Sequence, residues 1–228
     1  MPVQKLFPYS EGMTAGKTED TADNIQVMKD DDSMGYDTYF MWNGKSGKGE
    51  GTVKDPADVN TWSKIGDTAQ TKDTLHKGKS MWYQSRAAKA DDESTWYNIT
   101  VAGSVSLAEQ HEFEINKGYT LVGSPFPVEI PLNGGVVVSE PTMGKTEDAA
   151  DNVQIMKADS SMGYDTYFIW NGKSGKGEGT VKNPEDVGKW SKIGDTAATA
   201  DFFPVGRGAW FQSRGRTGTL KFINPIAK

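Results

Sequence analysis

The sequence predicts an all-β chain built as two tandem β-sandwich-like modules with short helical turns. Three observations lead there. First, the stretch Ser33–Lys54 returns at Ser161–Lys182 with one change, Met41 to Ile169, at an offset of 128 residues. The match runs without a gap from Gly16–Arg86 onto Gly144–Arg214, and roughly 50 of the 71 paired positions are identical. A self-match at a fixed period turns one chain into two copies of one unit. Second, the composition is rich in turn formers and in large flat side chains, with 26 Gly, 7 Trp, 8 Tyr and 9 Phe. Third, apolar runs of helical period are scarce, and the short apolar runs are bounded by Gly, Pro, Asn and Asp.

A length of 228 residues then divides into modules 1–107 and 108–228, with the boundary between Ser104 and Glu112. A module of about 110 residues buries about two thirds of its unfolded surface, enough for a core of its own.

The elements follow in order. Val3–Tyr9 has strand character interrupted by Pro8. Thr18-Glu19-Asp20 reads as a helix start, with a Thr cap and acids in the first turn. Asn24–Met28 reads as a strand, and Lys29–Gly35 as an acidic loop. Tyr36–Trp42 is apolar on both faces, which marks a central strand covered on each side. Gly44–Gly51 is a glycine-lysine loop. Asp55-Pro56 starts a helical turn, Asp as the cap and Pro at the first position, expected to end near Trp62. Ser80–Arg86 is the next strand, Lys89–Ser94 a loop, and Thr95–Ser106 a long alternating strand. Phe113–Ile115 and Tyr119–Val122 form an expected hairpin around Asn116-Lys117-Gly118. Ser124–Pro127 is a corner, and Val136–Val138 leads into the second copy. There Val153–Met156, Tyr164–Trp170, Gly208–Arg214 and Thr219–Ile223 are strands, and Asn183-Pro184 repeats the helix start.

The chemical motifs are weak. Gly44-Lys45-Ser46 lacks the earlier glycine of a phosphate loop, since Tyr39 and Tyr167 stand there, and no long helix follows. Gly47-Lys48-Gly49-Glu50-Gly51 lacks the third glycine of the dinucleotide pattern. Asp30-Asp31-Asp32 with Asp37 offers oxygens to a cation, but the second copy keeps only Asp159 and Asp165 there, beside Ala158 and Ser160. A solvated acidic turn is the expectation, with a weak cation site at the Asp31 and Asp159 loops as the alternative. His76 and His111 have no histidine counterparts, so a histidine site common to both modules is excluded, and a serine triad lacks its base. A carboxylate pair of glycosidase type has no distinguishing pattern here. Asn98-Ile99-Thr100 fits the glycosylation sequon but falls in an expected strand. No catalytic residue, cofactor or metal ligand is assigned.

Trp42, Trp62 and Trp82 recur as Trp170, Trp190 and Trp210. Trp42 and Trp82 lie inside expected strands and are assigned to the core. Trp62 and Trp190, at the ends of helical turns beside lysines, are the candidate exposed aromatics for stacking on a sugar face.

The net charge is −6, and lysines and acids alternate, so no basic face for nucleic acid is visible. No window approaches a membrane span. MPVQKLFPYS lacks the basic and apolar regions of a signal peptide. There are no cysteines, hence no disulfides or thiolate sites.

Gly118–Pro127, followed by Asp151–Met156 and Gly163–Trp170, resembles the tandem β-modules of bacterial secreted and cell-surface proteins. The resemblance covers most of each module. It implies an extracellular or cell-surface structural or adhesive role and no catalytic residues. The expected function is therefore a non-enzymatic structural protein of a surface layer or extracellular filament, self-assembling through its β-modules. The alternative is a carbohydrate-binding module pair. The expected partner is a second copy, joined head to tail. Module two is preceded by strand-forming sequence that module one lacks, so Val3, Lys5, Phe7 and Tyr9 are the candidate assembly strand.

Overall fold

The computed structural model describes every residue except 30, 32, 46–54, 68, 90, 100, 102–105, 158–162, 174–182, 196, 216 and 228. The described residues are mostly β, as expected, with several sheets and only short helical segments. The chain divides into two compact units. One comprises Met1–Lys77 and Met81–Ser104, the other Gly78–Ser80 and Val105–Lys228.

The first unit holds one four-stranded antiparallel sheet. Its strands are β1 (Asn24–Met28), β2 (Tyr36–Trp42), β3 (Thr61–Lys64) and β4 (Met81–Gln84), in the order β3-β2-β1-β4. β2 is internal, which explains its two apolar faces. Tyr39 and Met41 pack with Val3, Ile25 and Trp62 on one side. Phe40 and Trp42 pack with Ala22 on the other. The Trp42 indole also donates to the Lys45 carbonyl (2.8 Å).

The described residues of the second unit form three sheets. β11 (Trp190–Lys192), β10 (Tyr164–Ile169), β9 (Asn152–Met156), β13 (Gly208–Ser213) and β6 (Gly118–Gly123) form a five-stranded sheet in that order. β5 (Gln110–Ile115), β14 (Gly218–Ile223) and β8 (Val136–Val138) form a second. β7 (Ile130–Pro131) pairs with β12 (Phe202–Phe203). One core is filled from all three: Val153, Ile169 and Phe211 from the first, Leu220 and Phe222 from the second, Ile130 and Phe203 from the third. Phe203 meets Phe222 edge to face at 5.1 Å, a favoured aromatic geometry.

A buried carboxylate ties each unit together. Asp23 is fully buried and accepts the backbone N–H of Arg86 (2.7 Å) and Thr14 (3.1 Å). It also accepts the hydroxyls of Tyr83 (3.0 Å) and Tyr97. Burial pushes both tyrosines up, and their hydrogen bonds to Asp23 add to the effect. Asp151, equally buried, accepts Arg214 N–H (2.7 Å) and Thr142 N–H (2.8 Å). A buried carboxylate is tolerated because donors replace its lost water.

Several expectations are corrected. Val3–Tyr9 is not a strand: Val3–Leu6 form a single helical turn, closed by Phe7 N–H on Val3 C=O (3.0 Å). Val3 and Phe7 are buried, whereas Lys5 and Tyr9 are exposed. The segment expected to be available for assembly is thus bonded within its own unit. Its role is legible in the second unit. Val3 N–H bonds to Asp73 C=O, and Leu132 N–H bonds to Asp201 C=O. The Gln4 side chain accepts Trp62 N–H (3.0 Å), and Asn133 accepts Trp190 N–H (2.8 Å). The pairs Val3/Leu132 and Gln4/Asn133 stand 129 apart, whereas Trp62/Trp190 stand 128 apart, so an ungapped comparison passes over them.

Thr95–Ser106 forms no strand among its described residues, and 100 and 102–105 lie outside them. Glu93–Thr95 is a short 3-10 turn capped by Asp92, and Trp96–Ile99 carry no ladder. The alternation the sequence shows is real: Tyr97 and Ile99 pack on the first core, and Trp96 faces outward. The expected 113–122 hairpin is absent too, because β5 pairs with β14 whereas β6 pairs with β13. Gly118, at φ +95°, lets the chain step from one sheet to the other. Phe113 stacks on Phe222 at 5.8 Å, an attachment β6 does not offer.

Candidate functional site

Each unit carries the same four side chains beside an open cavity. In the first, β2 presents Asp37 and Tyr39, two residues apart and so on one face. β3 contributes Lys64, and the following loop contributes Asp73. The Tyr39 hydroxyl donates to Asp73 (2.8 Å). The Lys64 ammonium reaches Asp37 (3.1 Å) and Asp73 (3.3 Å) and lies 5.7 Å from the Tyr39 ring centroid. In the second unit Tyr167 donates to Asp201 (2.8 Å). Lys192 pairs with Asp165 (2.9 Å) and lies 5.6 Å from the Tyr167 ring centroid.

The electrostatics fix the roles. Burial, then the hydrogen bond to the aspartate, pushes both tyrosines well above the ordinary phenol range. They remain protonated donors. The Tyr39 hydrogen bond holds Asp73 below the usual carboxylate range. Lys192 is raised, first by its bond to Asp165. Lys64 is raised too: burial acts against it, and the bonds to Asp37 and Asp73 together outweigh burial.

The cavities differ in size and lining. The first, about 530 Å³, is bordered by Asp37, Tyr39 and Asp73 together with Lys29, Asp31, Thr74 and His76, with Lys64 behind them on Asp37 and Asp73. The second, about 670 Å³, is bordered by Glu129, Lys157, Phe202, Pro204 and Arg207. Phe202 is half exposed. A third groove of about 400 Å³ runs beside β8, lined by Val136, Val137, Val138, Ile169 and Trp190.

The expected stacking residues border neither of the two mixed-charge cavities. Trp62 is fully buried and Trp190 nearly so, each inside a strand. The helical turn begins where expected, with the Asp55 side chain accepting Ala57 N–H (2.9 Å). It ends after Asp58, and Asn60 at φ +60° turns the chain into β3. The indoles then donate inward, Trp62 to Phe7 C=O (2.6 Å) and Trp190 to Val136 C=O (2.8 Å). Trp82 and Trp210, expected in the core, are only half-buried. Trp96, which has no tryptophan counterpart, is the exposed one, its indole bonded to Lys89 C=O (2.6 Å).

Asp31 is spent on Ser33, accepting its N–H (3.0 Å) and its hydroxyl. Asp30, Asp32 and Asp159 lie outside the described residues, as does the Gly44–Gly51 loop beyond Lys45. Among the described residues, no group of three or more acids and histidines converges as metal ligands, and no helix is long and apolar enough to cross a membrane. His76 borders the first cavity, whereas His111 lies in β5 beside Phe113.

Fold and site together define a class: a mostly-β chain with a mixed-charge cavity in each of two units. Compared with family models, curated proteins and solved structures, the chain matches none.

Proposed function

We propose that the chain is a non-enzymatic extracellular or cell-surface protein whose two β-sandwich-like modules, products of an internal repeat, serve adhesion. The supporting observation is the recurrence of Asp37, Tyr39, Lys64 and Asp73 as Asp165, Tyr167, Lys192 and Asp201: Asp37, Tyr39 and Asp73 border the first cavity, and all four of the second set border the second. Locked hydroxyl donors and ionised carboxylates suit the holding of polar groups, and two such sites on one chain raise avidity. The test is retention of the full chain on insoluble matrices: cellulose, chitin, peptidoglycan and collagen. The parent binds at least one, and Asp73→Asn with Asp201→Asn releases it. Retention by none, or equal retention of the double variant, would refute the reading.

A second reading, self-assembly into a layer or filament, draws on β8. Ser139 N–H bonds to Thr219 C=O, so the alternation of an antiparallel ladder turns the Val138 N–H and C=O away from β14. They face the side lined by the apolar groove, where a strand from a second copy would add. Concentration-dependent sedimentation of the parent, abolished in Val137→Lys, supports it; a monomer at all concentrations counts against it.

A further inference from the structure

We infer that the cavity of the second unit is a binding site for a neutral oligosaccharide, with Phe202 as its stacking platform. This rests on the adhesion reading and names its ligand.

β12 has two residues, and successive side chains point to opposite faces. Phe203 enters the core and is fully buried. Phe202 therefore points outward, 50% exposed, into the rim of the cavity. The core does not require it. In the first copy the corresponding pair is Thr74 and Leu75: Leu75 is buried and Thr74 exposed. The inward position is apolar in both copies, while the outward one changes from a small hydroxyl to a phenyl ring. That ring stands in water beside a cavity, at a place where Thr suffices for folding.

The lining selects the ligand. Glu129, Asp165 and Asp201 face Lys157, Lys192 and Arg207, so the ionised side chains balance. A phosphate or other anion meets three carboxylates, and a cation meets three cationic groups. An apolar ligand leaves these charges without water. A neutral polyhydroxylated molecule fits both features: its hydroxyls serve donors and acceptors alike, and a sugar's C–H face lies on an aromatic ring. Asp201 has capacity to spare. Tyr167 donates to one of its oxygens, while a carboxylate has about four acceptor positions. In the first unit Asp73 takes both Tyr39 and Lys64, so its counterpart is more fully occupied as well as lacking the ring.

The test is a titration of the isotopically labelled full chain, read by amide chemical shifts. The probes are cellotetraose, chitotetraose, mannotetraose and maltotetraose, with ATP and tetragalacturonate as anionic arms. At least one neutral tetrasaccharide is expected to shift Met156, Asp201 and Phe202 saturably. Phe202→Ala should weaken it roughly fivefold to tenfold with an unchanged melting temperature, and Phe202→Tyr should restore binding. The inference fails if no neutral tetrasaccharide shifts these amides, if only the anionic probes do, or if Phe202→Ala binds as the parent does. It fails equally if the first cavity, read at Met28, Asp73 and Thr74, binds as tightly. Retention on collagen that depends on Asp73 and Asp201 would meanwhile leave the adhesion reading standing, so the two failures are distinguishable.

Discussion

Replacing Asn133 by Ala should destabilise the second unit by about 2–4 kcal/mol. The figure comes from what one side chain does. Its oxygen accepts Trp190 N–H (2.8 Å), and its nitrogen donates to Thr199 C=O (2.7 Å) and to Trp190 C=O (3.1 Å). An amide side chain here does the work of a paired strand along the outer edge of β11. Truncation strands two of the three backbone groups, because Trp190 C=O keeps the Thr199 N–H (2.8 Å). Three bonds at about 1 kcal/mol each, or two unsatisfied groups at about 1–3 each, bracket the estimate. Gln4→Ala is the internal control. Gln4 accepts Trp62 N–H alone among these contacts, so its loss should cost about 1 kcal/mol. Urea denaturation followed by tryptophan fluorescence gives both values, and hydrogen exchange at the Trp190 and Trp62 amides localises them. If Asn133→Ala costs no more than Gln4→Ala, or Trp190 N–H stays as protected as in the parent, the strand-mimic argument is wrong.

Three further outcomes are expected. Trp170→Ala removes an indole that is 1% exposed and bonded to Lys173 C=O, at a cost of about 3–5 kcal/mol; a parent-like melting curve would contradict its place in the core. Gly144→Ala places a Cβ 2.7 Å from the Ala149 carbonyl carbon, a clash with backbone that should cost about 1–3 kcal/mol, whereas Gly66→Ala meets no steric neighbour and is strained only by its φ of +94°. Asp73, held low by Tyr39, binds its proton less tightly folded than unfolded. Its stabilisation is therefore present above the unfolded value of about 3.9 and lost as pH falls through the folded one. Asp73→Asn should flatten the acid limb of the urea midpoint below about pH 4, and an unchanged limb would remove Asp73 from the account.

Local signals read well where local physics decides. Asn24–Met28 and Tyr36–Trp42 are strands at the predicted positions, because short apolar runs between turns have few other uses. Asp55-Pro56 starts its turn as the capping chemistry requires. The failures share one cause, which is that partner choice is not local. Phe113 and Tyr119 flank a good turn, yet Phe113 leaves for Phe222 in another sheet. Trp96–Ile99 keep the alternation of a strand without a ladder. Trp62 reads as the end of a helical turn, since nothing in the sequence shows that Asn60 reverses the chain into β3.

The candidate site was hidden by the feature that made the fold legible. Roughly 50 of the 71 paired positions are identical, so Asp37, Tyr39, Lys64 and Asp73 stand out little from their neighbours. Identity between copies reports shared packing and shared chemistry without separating them. Difference separates them, provided burial is known. At the Leu75/Phe203 position both residues are buried, and the change is one of volume within a core. At the Thr74/Phe202 position both are exposed, and an added phenyl ring gains nothing from water. A costly exposed ring beside a retained polar cavity calls for a reason outside folding, and a ligand with an apolar face supplies one. Trp62 and Trp190 fall on the other side of that line: both are buried and each closes a core through an inward hydrogen bond, so packing accounts for their recurrence.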